Sequence, residues 1–221
     1  MDANLVRRIA VAAVGIPVAL ALTWIGGWPL VILVSIIGVL GVRELFLFAE
    51  RKAVRPFHAL GYVTAALIAP AAYLAMVSPD FGGFMARWWA HGSALWLLAM
   101  LTWTLAARRP DARPLGAAAV TLFGIWYAAA LPAFLISIRH QAHGTGSWAG
   151  AWLVFFPLVV TWVCDSFAMF GGRVFGGPKL APVVSPGKTR SGGIAGVVGA
   201  LIVGGIFAWL VFPRAGLELA P

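Results

Sequence analysis

The stretch that decides the fold is VCDSFAMFGGRVFGGPKLAPVVSPGKTRSGG, which runs from Val163 to Gly193. It is the polar interruption between two long apolar runs, and its first charged residue is Asp165. Several glycines and prolines follow, together with four bases: Arg173, Lys179, Lys188 and Arg190. Only 10% of the chain is charged, so this concentration of charge and flexible backbone needs an explanation beyond chain connection.

The composition places the chain in a membrane. It has 221 residues, of which 62% are hydrophobic, and its charged fraction is well below the roughly 25% of a soluble domain. So much apolar surface cannot fit inside one small core, which makes lipid the expected solvent. The formal charge is +9, but the bases lie between apolar runs. This favours membrane topology and phosphate-bearing partners, with no nucleic acid. Cys164 is the only cysteine, which excludes an intrachain disulfide and a cysteine-based metal cluster.

Apolar runs predict the architecture, because a spanning helix needs about 20 mostly apolar residues. We predict an all-α, polytopic helical bundle of about seven transmembrane helices, forming a single membrane domain over residues 1–221. The runs cover residues 9–26, 28–48, 59–77, 93–107, 115–138, 151–171 and 193–212. Gly26 and Gly27 predict a very tight turn between the first two helices.

The distribution of bases predicts the orientation. Alternate segments between the spans carry twelve and three bases, with Arg87 and Arg139 assigned to loops on the poorer side. Loops rich in Lys and Arg stay in the cytoplasm. We therefore expect a multi-pass protein of the inner (cytoplasmic) membrane, with a cytosolic N-terminus. The main polar loop, residues 172–192, is then also cytosolic.

Asp165 has two interpretations. A carboxylate near the end of the sixth span is costly unless it faces a polar cavity or a partner. One interpretation is a structural ion pair with Arg173, two turns along the helix. The other is a magnesium ligand, because Mg²⁺ binds through one or two carboxylates together with phosphate oxygens.

The loop that follows resembles a phosphate site in composition. Its glycines, including Gly171, Gly172 and Gly176, are expected to end the helix and leave backbone N–H groups open to a ligand. Its four cations supply charge for a triphosphate or a phosphate monoester. A simple positive-inside loop would explain the bases, but not the accompanying glycines, prolines and hydroxyls.

The Gly187-Lys188-Thr189 triplet looks like the end of a P-loop. The full pattern needs a glycine where this chain has Pro182, which excludes that site. A lysine and a hydroxyl leading into a helix N-terminus still favour an anion.

Small residues recur in the last span. They stand at every fourth position, namely Gly192, Gly196, Ala200, Gly204 and Ala208. This pattern predicts close helix packing in lipid, with the helix that carries Asp165 as the expected neighbour. Elsewhere, His140 and His143 have a spacing compatible with a metal, but no third ligand is evident.

The central motif resembles that of the phosphatidate cytidylyltransferase (CDP-diacylglycerol synthase) family, which reads D-x-x-A-Y-F-x-G-R-x-F-G-x-x-K-L-A-P-x-I-S-P-K-K-T-x-E-G. The matching residues run from Asp165 to Arg173, then through Phe175-Gly176, Lys179 to Pro182, and Ser185 to Thr189. Two upstream pieces are also similar to the family: the basic start at residues 4–17 and the LFGIWY segment at residues 122–127.

The resemblance implies a Mg²⁺-dependent membrane enzyme that transfers CMP from CTP to phosphatidic acid and releases pyrophosphate. It implies catalytic roles for Asp165, Lys188 and Ser185, with Asp165 also as the metal ligand. Substrate binding is expected from five further residues: Arg173, Lys179, Thr189, Arg190 and Gly176. A homodimer is the family's usual state, and the stripe of small residues is compatible either with it or with packing inside one chain.

Two departures from the family pattern stand out. Ser191 replaces the glutamate of the family's Lys-Thr-x-Glu-Gly. The family also continues into a cytosolic segment with a Lys-Asp pair and an Asp-Arg-x-Asp cluster, which the sequence lacks. We therefore expect a fragment, a degenerate member, or a site completed by another chain. The alternative functions are a transporter that binds an anionic solute at residues 172–192, and a non-catalytic membrane protein.

Overall fold

The computed structural model describes residues 3–107, 113–141 and 143–217, with side chains from residue 13 onward. Arg108 and Arg109, used in the orientation prediction, lie outside these residues. The chain divides into two compact units, Met1–Gly146 and Ser147–Pro221, and each is described by itself. The prediction of one domain over residues 1–221 stays a prediction.

The described residues form seven helical segments and one small hairpin, which confirms the predicted all-α class. The first unit contains α1 (Ala3–Ile25), α2 (Gly27–Glu50), α3 (His58–Val77), α4 (Pro79–Ala107) and α5 (Pro114–His140). The second contains α6 (Trp148–Phe175), β1 (Lys179–Ala181), β2 (Ser185–Thr189) and α7 (Arg190–Arg214). The hairpin was not predicted, and it occupies most of the expected loop at residues 172–192.

Five of these helices, α2, α3, α5, α6 and α7, are long and apolar enough to cross a bilayer. In α1 the described side chains add the apolar segment Ala13–Ile25. The protein is therefore a multi-pass membrane protein. Helix α4, which contains the predicted fourth span at residues 93–107, is not among these five; it has 29 residues and begins at Pro79. Arg87 consequently lies on a helix and not in a loop.

Two π-helical turns interrupt the helices, and each ends two residues before a proline. In α5 the turn covers Trp126–Ala130, and the N–H of Leu131 donates to the carbonyl of Trp126, just before Pro132. In α7 the turn covers Phe207–Val211 and precedes Pro213 in the same way. Proline lacks an N–H and its ring clashes with the carbonyl four residues earlier, so a locally widened helix accommodates it.

The core of the first unit depends on glycines at helix contacts. Phe46 of α2 is fully buried, and a Cβ added at Gly61 of α3 would lie 2.5 Å from its ring. The π-helical turn of α5 approaches α2 just as closely, since a Cβ at Gly41 would lie 2.9 Å from that of Ala128. Without side chains at these positions, the helices can pack backbone against backbone.

The predicted tight turn between α1 and α2 is confirmed, and it is held by a residue that the sequence placed in a loop. Arg139 lies in α5 and its side chain is 0% exposed. Its guanidinium donates to the carbonyls of Thr23 at 2.9 Å, Trp24 at 2.7 Å and Gly144 at 3.0 Å. The loop assignment of Arg139 was therefore wrong, because the side chain is fully used inside the protein.

These bonds satisfy the end of α1, whose last four carbonyls have no partner within the helix. The carbonyl of Leu22 accepts from the N–H of Gly26, and that of Ile25 accepts from the N–H of Gly146, both at 2.9 Å. Arg139 takes the two between them. Arg139 is completely buried at this contact, and a buried carbonyl without a partner is costly, so the carbonyls that it reaches need a protein donor.

His140 holds the same turn on the α2 side. The N–H of Gly27 donates to its Nε2 at 2.8 Å, so Nε2 carries no proton, and Nδ1–H donates to the carbonyl of Ile136 at 3.0 Å. Gly26 and Gly27 have φ values of 71° and 58°, which suit glycine. A Cβ on Gly26 would also lie 3.0 Å from Nε2.

Candidate functional site

The second unit is built on a close contact between α6 and α7. A Cβ added at Gly192 would lie 2.6 Å from the carbonyl oxygen of Ala168, and one at Gly196 would lie 3.0 Å from that of Cys164. On the α6 side, a Cβ at Gly171 would clash with the side chain of Ala195. The predicted packing of the last span against the helix that carries Asp165 is confirmed.

The contact follows a different spacing from the predicted one. After Gly192 and Gly196 it continues at Gly199, where a Cβ would lie 2.6 Å from the ring of Phe167. A Cβ at Gly204 would meet nothing within 4 Å. Two helices that cross at a small angle stay in contact at about 3.5-residue intervals, so a strict four-residue stripe rotates away from its neighbour.

The polar segment after α6 begins further along the chain than we predicted from the positions of its glycines. Helix α6 continues through Gly171 and Gly172 and ends at Gly176, which has φ 58° and donates its N–H to the carbonyl of Gly172 at 3.2 Å. Strands β1 and β2 then pair antiparallel, with Lys179 opposite Thr189 and Ala181 opposite Ser185. The N–H of Arg190 donates to the carbonyl of Pro178 at 2.9 Å, so the hairpin closes where α7 begins.

Two hydroxyls tie the end of α6 to the start of α7. The hydroxyl of Ser191 donates to the carbonyl of Gly176. Since that uses its only proton, Thr189 must be the donor in the Thr189–Ser191 pair, whose oxygens are 3.1 Å apart. The Thr189 oxygen in turn accepts from the N–H of Gly192 at 3.2 Å, which caps α7. We call this junction of Gly176, Thr189, Ser191 and Gly192 the polar corner. Its geometry is fixed by these hydrogen bonds.

The four predicted cations gather around this corner. Arg173 is on the last turn of α6, Lys179 and Lys188 are on the two strands, and Arg190 is the first residue of α7. All four side chains are exposed. Within the described residues, none of them forms an ion pair with an acid. Their charge is consequently available to an anionic ligand.

Asp165 lies deeper in the same helix. Its carboxylate is exposed, and among the described residues it forms no ion pair with Arg173, so the structural interpretation is not supported. Asp165 and Gly172 are seven residues apart, which places them on nearly the same face of α6, about 10 Å apart along its axis. A Cβ added at Gly172 would lie 2.8 Å from the hydroxyl oxygen of Thr189, so Asp165 lies on the face of α6 that leads toward the polar corner.

The structure thus brings together most of the predicted site residues. Gly176, Thr189 and Arg190 meet at the corner, and Arg173, Lys179, Lys188 and Ser185 flank it, whereas Asp165 is separated along α6. Their roles in catalysis and binding stay predictions. Sequence reasoning missed the part played by Ser191. Its only signal was the departure from the family pattern, and the structure gives the residue a hydrogen-bonding partner, Gly176.

Comparison with known proteins identifies the family. Residues 6–217 match the sequence model described as the cytidylyltransferase family. Three proteins named phosphatidate cytidylyltransferase are similar to parts of the chain. That of Haemophilus influenzae is 40% identical over 72 residues, which are 33% of this chain and 24% of the relative. That of Rickettsia felis is 50% identical over 52 residues, 24% of this chain and 23% of the relative. That of Chlamydia pneumoniae is 33% identical over 113 residues, 50% of this chain and 37% of the relative.

The chain therefore spans between about a quarter and two fifths of the length of these relatives.

Proposed function

Because the chain belongs to the cytidylyltransferase family, we propose that it transfers CMP from CTP to phosphatidic acid, giving CDP-diacylglycerol and pyrophosphate. The observation that carries the proposal is the family match over residues 6–217, which includes the whole polar corner between α6 and α7. The transporter alternative gains no support, since the relatives compared above all bear the name of this enzyme.

The reaction would form one bond and break one. A phosphate oxygen of the lipid attacks the α-phosphorus of CTP, and the bond between this phosphorus and the oxygen bridging to the β-phosphorus breaks, so that pyrophosphate leaves. Such transfers depend mainly on positioning and on neutralising charge. Arg173, Lys179, Lys188 and Arg190 supply that charge at the corner.

The rigidity of the corner supports this role. Thr189, Ser191 and Gly176 are linked by hydrogen bonds, so the strands and helix ends that carry the cations hold fixed positions. A fixed backbone limits how far the cations must rearrange as negative charge develops in the reaction. Ser185, partly buried at the start of β2, is proposed as a further polar contact for the reacting groups.

Mg²⁺ is part of the proposal. Among the described residues no group of three or more His, Cys, Asp or Glu side chains lies close enough to hold a metal ion. The carboxylate of Asp165, free of an ion pair, fits a site with a single protein ligand, completed by phosphate oxygens and water. When bound, the ion would offset charge on the triphosphate.

The proposal also includes a location. CTP is a cytosolic molecule, so the corner between α6 and α7 would face the cytosol at the inner membrane. The excess of bases in alternate segments gives the same orientation, with the N-terminus inside. A homodimer is part of the proposal through the resemblance alone.

The test is a transfer assay on the purified chain in lipid nanodiscs. Radiolabelled CTP, phosphatidic acid and Mg²⁺ are supplied, and label entering the organic phase is measured. Asp165→Asn and Lys188→Ala should each lower the rate at least about 100-fold, the scale of losing one preorganised electrostatic group. The matched controls are Asp80→Asn and Arg87→Ala on α4, which should keep the wild-type rate.

A folded wild-type chain that incorporates no label would contradict the proposed activity. If Asp165→Asn retained the rate of Asp80→Asn, the assignment of Asp165 would be wrong even with an active enzyme.

A further inference from the structure

Apolar side chains at the tip of the β1–β2 hairpin, Pro182 to Val184, are exposed. Val183 is 96% exposed and Val184 is 89% exposed, the highest fractions of any large hydrophobic side chain among the described residues. Leu180 and Pro182 next to them are exposed as well. The five residues from Leu180 to Val184 are all apolar, and most of them are exposed.

The hairpin connects the C-terminal end of α6 to the start of α7, two helices that are long and apolar enough to cross a bilayer. Its base is fixed by the bond from Arg190 N–H to the Pro178 carbonyl and by the bond from Ser191 to Gly176. Leu180 also leans on α7, since its Cδ2 lies 3.8 Å from where a Cβ of Gly193 would be. An apolar side chain on β1 thus contacts the first turn of a membrane-spanning helix.

The charges around the tip favour contact with a negatively charged surface. Lys179 and Lys188 flank the apolar run, and no acidic residue occurs between Asp165 and Glu218. Apolar side chains enter the boundary between headgroups and acyl chains, while lysines next to them attract anionic headgroups. An exposed apolar patch with a polar rim marks a protein or membrane contact, and two lysines beside it with no acidic residue in this part of the chain favour an anionic lipid surface.

We propose that the tip, Pro182 to Val184, inserts into the bilayer interface beside α6 and α7, with Lys179 and Lys188 contacting the phosphates of anionic phospholipids. This lipid contact goes beyond the proposed transfer reaction, because it exists without nucleotide and without turnover. It would hold the hairpin, and with it the cations of the corner, at the depth of lipid phosphate groups.

Depth can be measured with a label on the tip. Cys164→Ala removes the only cysteine, and Val184→Cys then carries a single fluorophore in vesicles of phosphatidylcholine with phosphatidylglycerol. Gly187→Cys is the matched control, since this position on β2 is exposed and a Cβ there meets nothing within 4 Å. Nitroxides on the lipid chains should quench the label at 184 at least about twofold more than the label at 187. A water-soluble quencher should show the opposite order.

The role of the two lysines is tested by changing the lipid composition of the vesicles. Removing phosphatidylglycerol should reduce lipid quenching at 184, and Lys179→Gln with Lys188→Gln should make the quenching independent of this lipid. Val183→Cys repeats the measurement at a second exposed position.

Three results would overturn the inference. They are equal access of the water-soluble quencher to 184 and 187, protection of 184 from both quenchers, which indicates a protein contact, and quenching unaffected by anionic lipid. Since CTP is absent throughout, these results would leave the proposed transfer activity untouched, and failure of the transfer assay would leave the depth measurement valid.

Discussion

Replacing Arg139 with methionine should strongly destabilise the first unit. The guanidinium makes three hydrogen bonds of 2.7–3.0 Å to carbonyls and is completely buried. Hydrogen bonds to charged groups contribute about 1.5–3 kcal/mol each, so the gross loss is about 5–9 kcal/mol. Removing a buried charge recovers several kcal/mol of desolvation. The three carbonyls left without this donor cost about 1–3 kcal/mol each, so the net loss in free energy of unfolding should be about 3–5 kcal/mol.

Arg139→Lys should give an intermediate loss. The ammonium keeps the positive charge, but it is a point donor and cannot match carbonyls that the planar guanidinium contacts in three directions. At least one of the Thr23 and Trp24 carbonyls would then remain without a donor.

The free energies of unfolding can be compared by titrating purified protein with SDS in mixed micelles and following tryptophan fluorescence. Arg87→Met is the matched control, because Arg87 is an exposed arginine on α4, and its change should stay within about 0.5 kcal/mol. A loss below about 1 kcal/mol for Arg139→Met would refute the view that this side chain satisfies the end of α1.

Two further predictions concern the second unit. Gly192→Ala should lower the free energy of unfolding by about 1–3 kcal/mol, because its Cβ would lie 2.6 Å from a carbonyl oxygen of α6. Gly204→Ala on the same helix is the control, since its Cβ would meet open space, and it should be nearly neutral in the same SDS titration. Equal effects of the two substitutions would contradict the assigned contact. Thr189→Val should cost about 1 kcal/mol by removing the cap of α7, whereas Thr189→Ser keeps the hydroxyl and should behave as wild type; a neutral Thr189→Val would mean that the cap contributes nothing.

The membrane architecture could be predicted from the sequence because it depends on a local property. The bilayer thickness demands about 20 consecutive apolar residues, and those residues can be counted along the chain. The fourth span was the exception, since the N-terminal half of α4 carries Asp80 and Arg87 and continues the helix without continuing the apolar run. The length of a helix and the length of its apolar run are separate properties. The prediction from the sequence used only the apolar run.

The candidate site could be located but not built from the sequence. The concentration of Gly, Pro and basic residues after Asp165 marked the segment, and the order of the motif pointed to the family. The hairpin was missed because its strands have only three and five residues and because β2 contains a proline and a glycine, which depress any strand signal.

By itself, the sequence determined where the long apolar segments lie, where polar residues interrupt them, and which residue types gather at one interruption. Only the tertiary structure decided that Arg139 is an internal donor for a helix 115 residues away, and that Ser191 joins two helix ends. The physical reason is that hydrophobic length is summed along the chain. A hydrogen bond instead requires two groups to meet in space, and that meeting depends on how the helices pack.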